Sequence, residues 1–302
     1  MTVSHQQATQ IWHSQAIALF DAGRYRSALA RCERALSDNP ADCIAWIDKG
    51  SALYELGQHE LALHSFEEAV RLNPQQPRAW HGLGIAQAKL QDFIAALKSF
   101  EQTISLNPDD LKAWHNRGNA LLRLHRYPEA ADCFNELIQK QPDNYYAWYD
   151  RAIALGAMRR LHDALSCVDT TVAIKPDCHY AWTYRGVILN KLHRFRDALI
   201  SFDRSLGCRV PNPNAWYGKA STFALQGKSE AAARWLRNAI AVNPNLYRIM
   251  VKTDSNFSVV LDSPEIQTVL RHGSKPENLT HDSLEYREYP LPVDGPHSSL
   301  DF

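Results

Sequence analysis

AWHNRGNALLRLHRYPEAADCF (113–134) is one unit of a pattern that runs through most of the chain. Its tryptophan belongs to the series Trp12, Trp46, Trp80, Trp114, Trp148, Trp182 and Trp216, each thirty-four residues after the last. A constant period of this size marks stacked structural repeats, which bury a shared core between neighbours. Four residues past each Trp stands a small residue: Ala16, Gly50, Gly84, Gly118, Ala152, Gly186 and Ala220. Seven past stands mostly leucine, as at Leu19, Leu53, Leu121, Leu155 and Leu189. Offsets of four and seven share a face of an α-helix, so each unit opens with a helix.

A second helix follows. Sixteen past each Trp the residue is always alanine (Ala28, Ala62, Ala96, Ala130, Ala164, Ala198, Ala232). Twenty past it is Phe66, Phe100, Phe134 or Phe202, with Cys32, Val168 and Leu236 as smaller members. This is an amphipathic spacing. Gly23, Gly57 and Gly227 suit the turn between the helices, and Pro40, Pro74, Pro108, Pro142, Pro176 and Pro244 stop the second helix. Asp42, Asp110 and Asn144 can cap the helix that comes next. Before Trp216 the stop has slid to Pro211, where a looser junction is expected. Small residue against alanine lets two helix axes approach closely. The indole fills the neighbouring space, burying up to about 250 Å², an upper bound of about 6 kcal/mol.

These offsets resemble the tetratricopeptide repeat family, whose signature joins Trp, a Leu-Gly pair, Tyr, Ala, Phe and Pro. Trp80, Leu83, Gly84, Ala96, Phe100 and Pro108 satisfy nearly all of it, and AWTYRGVILNKLHRFRDALISF (181–202) is similar to bacterial units. The resemblance spans residues 9–246 as seven repeats (9–42, 43–76, 77–110, 111–144, 145–178, 179–212, 213–246). It implies an all-α right-handed superhelical solenoid. Lys49, Arg117, Arg151, Arg185 and Lys219 depart from it by replacing the family's leucine, and their stems can pack while the charge stays wet.

The remainder of the sequence limits the function. The 33 basic and 33 acidic residues balance, so no global field draws nucleic acid or an anionic membrane. No apolar run spans a bilayer and no signal peptide opens the chain, so a cytoplasmic location without membrane insertion is expected. Six cysteines at unrelated offsets, with no C-x-x-C, read as reduced core residues. His13, His81 and His115 share one offset on different repeats, a row and not a chelating cluster, so no metal is expected. Phosphate-loop, nucleophile-elbow, zinc-protease and dinucleotide motifs are missing, so neither an enzyme nor a cofactor is expected.

Resemblance further implies that the first helices line a concave groove binding a partner's peptide. The residues two before and one, five, eight and nine after each Trp are the candidates. They are Arg78, His81 and Lys89, then Lys112, His115, Asn119 and Arg123, giving a basic stretch. Tyr146, Tyr149, Tyr180, Asn190, Lys191 and Tyr217 follow, giving a tyrosine-rich one. An acidic peptide with apolar anchors suits that sequence, the charges orienting it and Tyr146, Tyr149 and Tyr180 holding it. The clamp with which some family members hold heat-shock protein tails is broken. Asn116 stands at its middle position, but His81 with Ile85 and Tyr146 with Asp150 occupy the flanking ones.

Residues 1–8 read as an extension and 247–271 as a capping segment, with Phe257, Ile266 and Leu270 closing the stack. Residues 272–302 read as a flexible acidic tail, and its Leu284, Tyr286, Tyr289 and Phe302 make it a candidate groove ligand in cis or in trans. The reading is a noncatalytic scaffold, adaptor or complex-assembly factor. Its alternatives are a regulatory or accessory subunit of a separately encoded enzyme and a self-assembling structural protein. The constant alanines give a direct test of the packing. Ala164→Leu is expected to lower unfolding stability by about 1–3 kcal/mol through overpacking, read from the shift in denaturant midpoint.

Overall fold

A computed structural model describes residues 5–272, with side-chain environments over residues 11–271. Among them are sixteen α-helices, one short 3-10 turn and no strand. The helices follow one another as pairs, and the chain divides into two compact units that meet at Gln141 and Pro142. The first unit holds α1 (His5–Asp21), α2 (Tyr25–Asp38), α3 (Cys43–Glu55), α4 (His59–Leu72), α5 (Pro77–Lys89), α6 (Phe93–Leu106), α7 (Leu111–Arg123) and α8 (Tyr127–Lys140). The second holds α9 (Tyr145–Ala157), α10 (Leu161–Ile174), α11 (His179–Lys191), α12 (Phe195–Cys208), α13 (Pro213–Leu225), α14 (Ser229–Val242), α15 (Pro244–Thr253) and α16 (Pro264–His272). The 3-10 turn is Ser255–Phe257. Helix α1 begins inside the segment read as an extension.

Local chemistry sets the helix ends. Asp42 accepts hydrogen bonds from the Ile44 and Ala45 amides, Asp110 from Ala113 and Asn144 from Ala147, so the three expected caps form. The first helices close with a left-handed residue eleven past the Trp. The next amide reaches back to the carbonyl seven past it, as Arg126 to Leu121 and Arg160 to Leu155, both at 2.9 Å. Gly23, Gly57 and Gly227 hold the left-handed position in three repeats. Gln91 (φ 67°), His125 (58°), Arg159 (61°) and His193 (58°) hold it in the other four, where a side chain makes that conformation costly.

The centre of each pair is an aromatic ring seated on a missing side chain. A Cβ on Gly84, Gly118 or Gly186 would come within 2.6 Å of the ring of Phe100, Phe134 or Phe202, and one on Gly50 within 2.8 Å of Phe66. All four phenylalanines are fully buried. Where the small residue is Ala16, Ala152 or Ala220, the residue sixteen later shrinks to Cys32, Val168 or Leu236. The same rings also meet the following repeat, where a Cβ on Gly82 or Gly218 would overlap Phe66 or Phe202. After the smaller Val168, that following position carries Tyr184, whose hydroxyl lies 3.5 Å from the Ala152 carbonyl.

The indoles are less central than the sequence suggests. Trp216 is buried, but Trp12, Trp46, Trp80, Trp114, Trp148 and Trp182 are half-buried. Their polar edge explains this. Trp46, Trp80, Trp114, Trp148 and Trp182 donate their indole N–H to the carbonyls of Pro40, Pro74, Pro108, Pro142 and Pro176 at 2.7–3.0 Å, tying each stop to the next helix. The shifted Pro211 does not loosen its junction. Asn212 caps Ala215 and donates to Ser205 Oγ at 2.8 Å, and Ser205 donates to the His179 carbonyl at 2.6 Å.

The basic departures work as cross-links on the other side of the indole. The guanidinium of Arg117 lies 6.0 Å from the Trp114 ring, bonds Cys133 Sγ and pairs with Glu101 at 3.2 Å. Arg185 likewise faces Trp182, bonds Ser201 and pairs with Asp169 at 2.6 Å. Each thus reaches the second helix of its own repeat and of the one before, its stem packed as expected.

Phe257 and Ile266 are fully buried and Leu270 packs against the same cluster, as anticipated for the end of the array. The segment opens like a repeat without forming a helix pair, since α15 and α16 each pack on α14. Asn243-Pro244-Asn245-Leu246-Tyr247 repeats Asn212-Pro213-Asn214-Ala215-Trp216, with Asn243 capping Leu246 and the buried Tyr247 in the tryptophan's place. Thirty-one residues separate Trp216 from Tyr247, so a strict ruler lands on Met250 instead.

The ring-on-glycine seat predicts a reversed sign for a familiar substitution. Gly→Ala inside a helix ordinarily gains about 1 kcal/mol. Gly118→Ala is expected to destabilise, and adding Phe134→Val is expected to cost less in that background than in the native one, with a coupling above about 0.5 kcal/mol. Denaturant unfolding of the four proteins measures it.

Candidate functional site

The residues one past each Trp do not face open solvent. His13 bonds Asp42 Oδ2, the cap of α3, at 2.9 Å and lies 3.4 Å from Asp48 within α3. His81 repeats this, with Nδ1 3.4 Å from Asp110 and Nε2 3.0 Å from the Asn116 amide nitrogen. That pattern fits a neutral ring carrying its proton on Nδ1. Tyr149 packs edge-on against Tyr180 and Tyr184, with ring centroids 4.7 and 6.0 Å away. Tyr217 donates to Asp254 at 2.8 Å and lies 5.4 Å from the Phe257 ring. This row is a set of hooks between successive repeats.

Four of the residues read as groove-lining are therefore closed off. His81 (9%), Tyr149 (2%), Asn190 (5%) and Tyr217 (7%) are buried, each because the next element covers it or its own helix turns it inward. Tyr149 cannot hold a ligand in this conformation, because its ring is the floor beneath Tyr180. The segment 254–257 lies across Tyr217 and also bonds Ser221 through Asn256, so the chain itself covers that face of α13. Asn190 keeps a buried Oδ1 without a hydrogen-bond partner.

The others remain accessible. In the first unit Arg78, Lys89, Lys112 and Arg123 are exposed, and His115 and Asn119 are half-buried. Arg78 lies 3.4 Å from Asp48, Arg123 sits 5.2 Å from the Phe93 ring, and His115 lies 6.1 Å from Phe134. They form a scattered basic face, with no pocket drawing them together. In the second unit Tyr146 and Tyr180 are half-buried and Lys191 is exposed.

The second unit contains a group the offset reading passed over. The ring centroids of Tyr145 and Tyr146 lie 4.0 Å apart, and Tyr180, edge-on to Tyr149, joins them near the buried Cys178. Burial pushes Tyr145, Tyr180 and Cys178 up from their ordinary values, so all three stay protonated near neutrality. The run YYAWY (145–149) was the available signal, since it places a tyrosine three before the Trp as well as two before. Such a shelf offers apolar faces and neutral hydroxyls, suited to gripping a side chain and bonding a peptide backbone.

One carboxyl and one imidazole in the first unit are shifted by the fold. Burial pushes Asp110 up, but bonds from the His81 ring and the Ala113 amide hold it below 3.8. The Asp48 contact raises His13 above 6.5 against the opposing effect of burial, with Asp42 adding to the rise.

With the geometry in view, the comparisons agree. The tetratricopeptide repeat model matches residues 13–77, 47–110, 81–145, 149–213 and 191–245. The chain belongs to the tetratricopeptide repeat family. No curated protein matches it. A tetratricopeptide repeat protein from Parabacteroides merdae is similar in fold, with 16% identity, a TM-score of 0.64, and 82% of this chain and 98% of that one covered. YrrB, described as a TPR protein with an unusual peptide-binding site, has 19% identity and a TM-score of 0.55 over 62% of this chain and 97% of its own. MamA residues 41 to the end, from Desulfovibrio magneticus RS-1, has 20% identity and a TM-score of 0.53 over 55% and 94%. Among the described residues no helix is long and apolar enough to cross a membrane.

The His13 contact gives a signed pH effect. A histidine raised on folding stabilises fully below its unfolded value, and the gain disappears as pH rises through the higher folded value. Amides of α1 should therefore exchange more slowly in the native chain than in His13→Gln at about pH 6, and the difference should vanish toward about pH 9. A difference that is constant across that range would refute the link.

Proposed function

We propose that this chain is a noncatalytic protein-interaction scaffold, acting as an adaptor or complex-assembly factor that holds a peptide segment of a partner against its first helices. Family membership and the fold support an interaction module. The observation that carries the peptide reading is the phenol shelf of Tyr145, Tyr146 and Tyr180, half-open above the buried Tyr149 and Tyr184. A ligand side chain placed there loses water from both surfaces, which is where interface energy concentrates. The likeness in fold to YrrB, described as having a peptide-binding site, is consistent with this.

The exposed Lys89, Lys112 and Arg123 of the first unit favour an acidic segment, mainly by steering. The anchor role moves from Tyr149 to its neighbours, and Tyr149 becomes their support. Nothing in this reading requires a metal, a cofactor or nucleic acid.

Peptides selected on the full-length chain from a random library test it. Tyr180→Ala is expected to weaken the selected peptides by about tenfold or more. Tyr149→Ala is expected to lower stability first and affinity only as a consequence. Selected peptides that bind Tyr180→Ala and Tyr146→Ala as well as the native chain would remove the shelf from the function.

A further inference from the structure

The zero net charge of this chain is a cancellation between blocks. Of the 33 acidic and 33 basic residues, residues 273–302 hold six acids (Glu277, Asp282, Glu285, Glu288, Asp294, Asp301) and two bases (Lys275, Arg287). Residues 142–272 hold seventeen bases and eleven acids, an excess of six positive charges in the second unit. The first unit, with fourteen bases and sixteen acids up to Gln141, does not share it.

Within the second unit the excess is densest at the turns joining α9 to α10 and α11 to α12. Arg159, Arg160 and His162 stand with one acid, Asp163, and His193, Arg194 and Arg196 with one acid, Asp197. Arg160 and Arg194 are paired with those acids three residues on. Arg159 and Arg196 are exposed. These cations stand beside the positive ends of α10 and α12, where the helix dipole adds to their repulsion. Both turns also place a non-glycine residue, Arg159 or His193, at a left-handed φ that Gly227 occupies in the next repeat. A surface that accumulates like charge in the turns of successive repeats is stabilised by an anionic partner.

We propose that this basic turn edge is the docking site of the chain's own acidic segment around residues 282–288, in cis, and not the first-helix groove. The charges complement each other, Asp282, Glu285 and Glu288 falling at every third position. The segment is also within reach. A Cβ on Gly227, in the turn between α13 and α14, would lie 4.0 Å from Val259, and α16 packs on α14, so the chain enters α16 beside the same edge as these turns. Its nine residues rise about 13 Å and two helix layers add about 20 Å, whereas the fourteen residues from His272 to Tyr286 extend to about 46 Å. The open groove of this unit offers the acids only Lys191, since Lys219 is committed to Asp203. This inference stands apart from the peptide reading above, because none of Arg159, Arg160, Arg194 and Arg196 is a groove residue.

Photocrosslinking in the purified full-length chain tests it, with a benzophenone amino acid in place of Tyr286 and the adducts mapped by mass spectrometry. Intramolecular adducts are expected within residues 158–163 and 193–197 at about 20 mM salt, and their loss at about 0.5 M, where screening is short-ranged. Glu285→Lys with Glu288→Lys, which leaves the folded body untouched, is expected to abolish them, as is Arg159→Glu with Arg196→Glu. Adducts on Tyr146 or Tyr180, adducts between two molecules, adducts unchanged by salt and charge reversal, or none at all would each overturn the assignment.

Discussion

The fit of one aromatic ring onto one absent side chain organises this molecule. Glycine inside a helix costs about 1 kcal/mol relative to alanine, and Gly50, Gly84, Gly118 and Gly186 all accept that cost. In return Phe66, Phe100, Phe134 and Phe202 are completely buried, each worth about 2–3 kcal/mol of transfer free energy. The balance favours the pair, and it fixes how closely the second helix approaches the first. Where the glycine becomes alanine, as at Ala152, the ring is dropped for Val168, and Tyr184 from the next repeat enters the space. At that junction the volume given up at one position is regained at another, so a repeat can change sequence and keep its packing.

Much of this was legible before any coordinates. A period of thirty-four, a small residue at four and a stop proline determine helix, turn, helix, and the caps at Asp42, Asp110 and Asn144 follow from local chemistry. The central place given to tryptophan was less secure. An indole N–H needs an acceptor, and the carbonyl of the stop proline, six residues back, holds the ring at the edge of the core. The repeat-like start at Tyr247 escaped the ruler because three residues are missing between α14 and Tyr247. Its Asn-Pro-Asn run, identical to that before Trp216, was the better guide.

The candidate site was only half legible, for a geometric reason. Counting offsets along one helix separates a packed face from an open one, but a helix within an array has three neighbours. The residue one past the Trp clears its own partner helix and then meets the repeat that follows, as His81 meets Asn116 and Tyr149 meets Tyr184. The row two before the Trp clears both, so Arg78, Lys112, Tyr146 and Tyr180 stay accessible. Charge was obscured in a similar way, because a sum over the chain conceals blocks of opposite sign.

The hooks differ in chemistry along the chain, and in a stacked array that difference matters. Stability here is a sum of repeat and seam energies, so the weakest seam sets where the array opens. In the first unit His81 joins its seam through a carboxylate and an amide, and His13 through carboxylates that raise it above its ordinary value. In the second unit Tyr149 and Tyr217 join theirs through aromatic packing, with phenols that burial keeps protonated. The phenol shelf thus rests on seams whose strength does not vary near neutral pH, while the seam next to α1 responds to it.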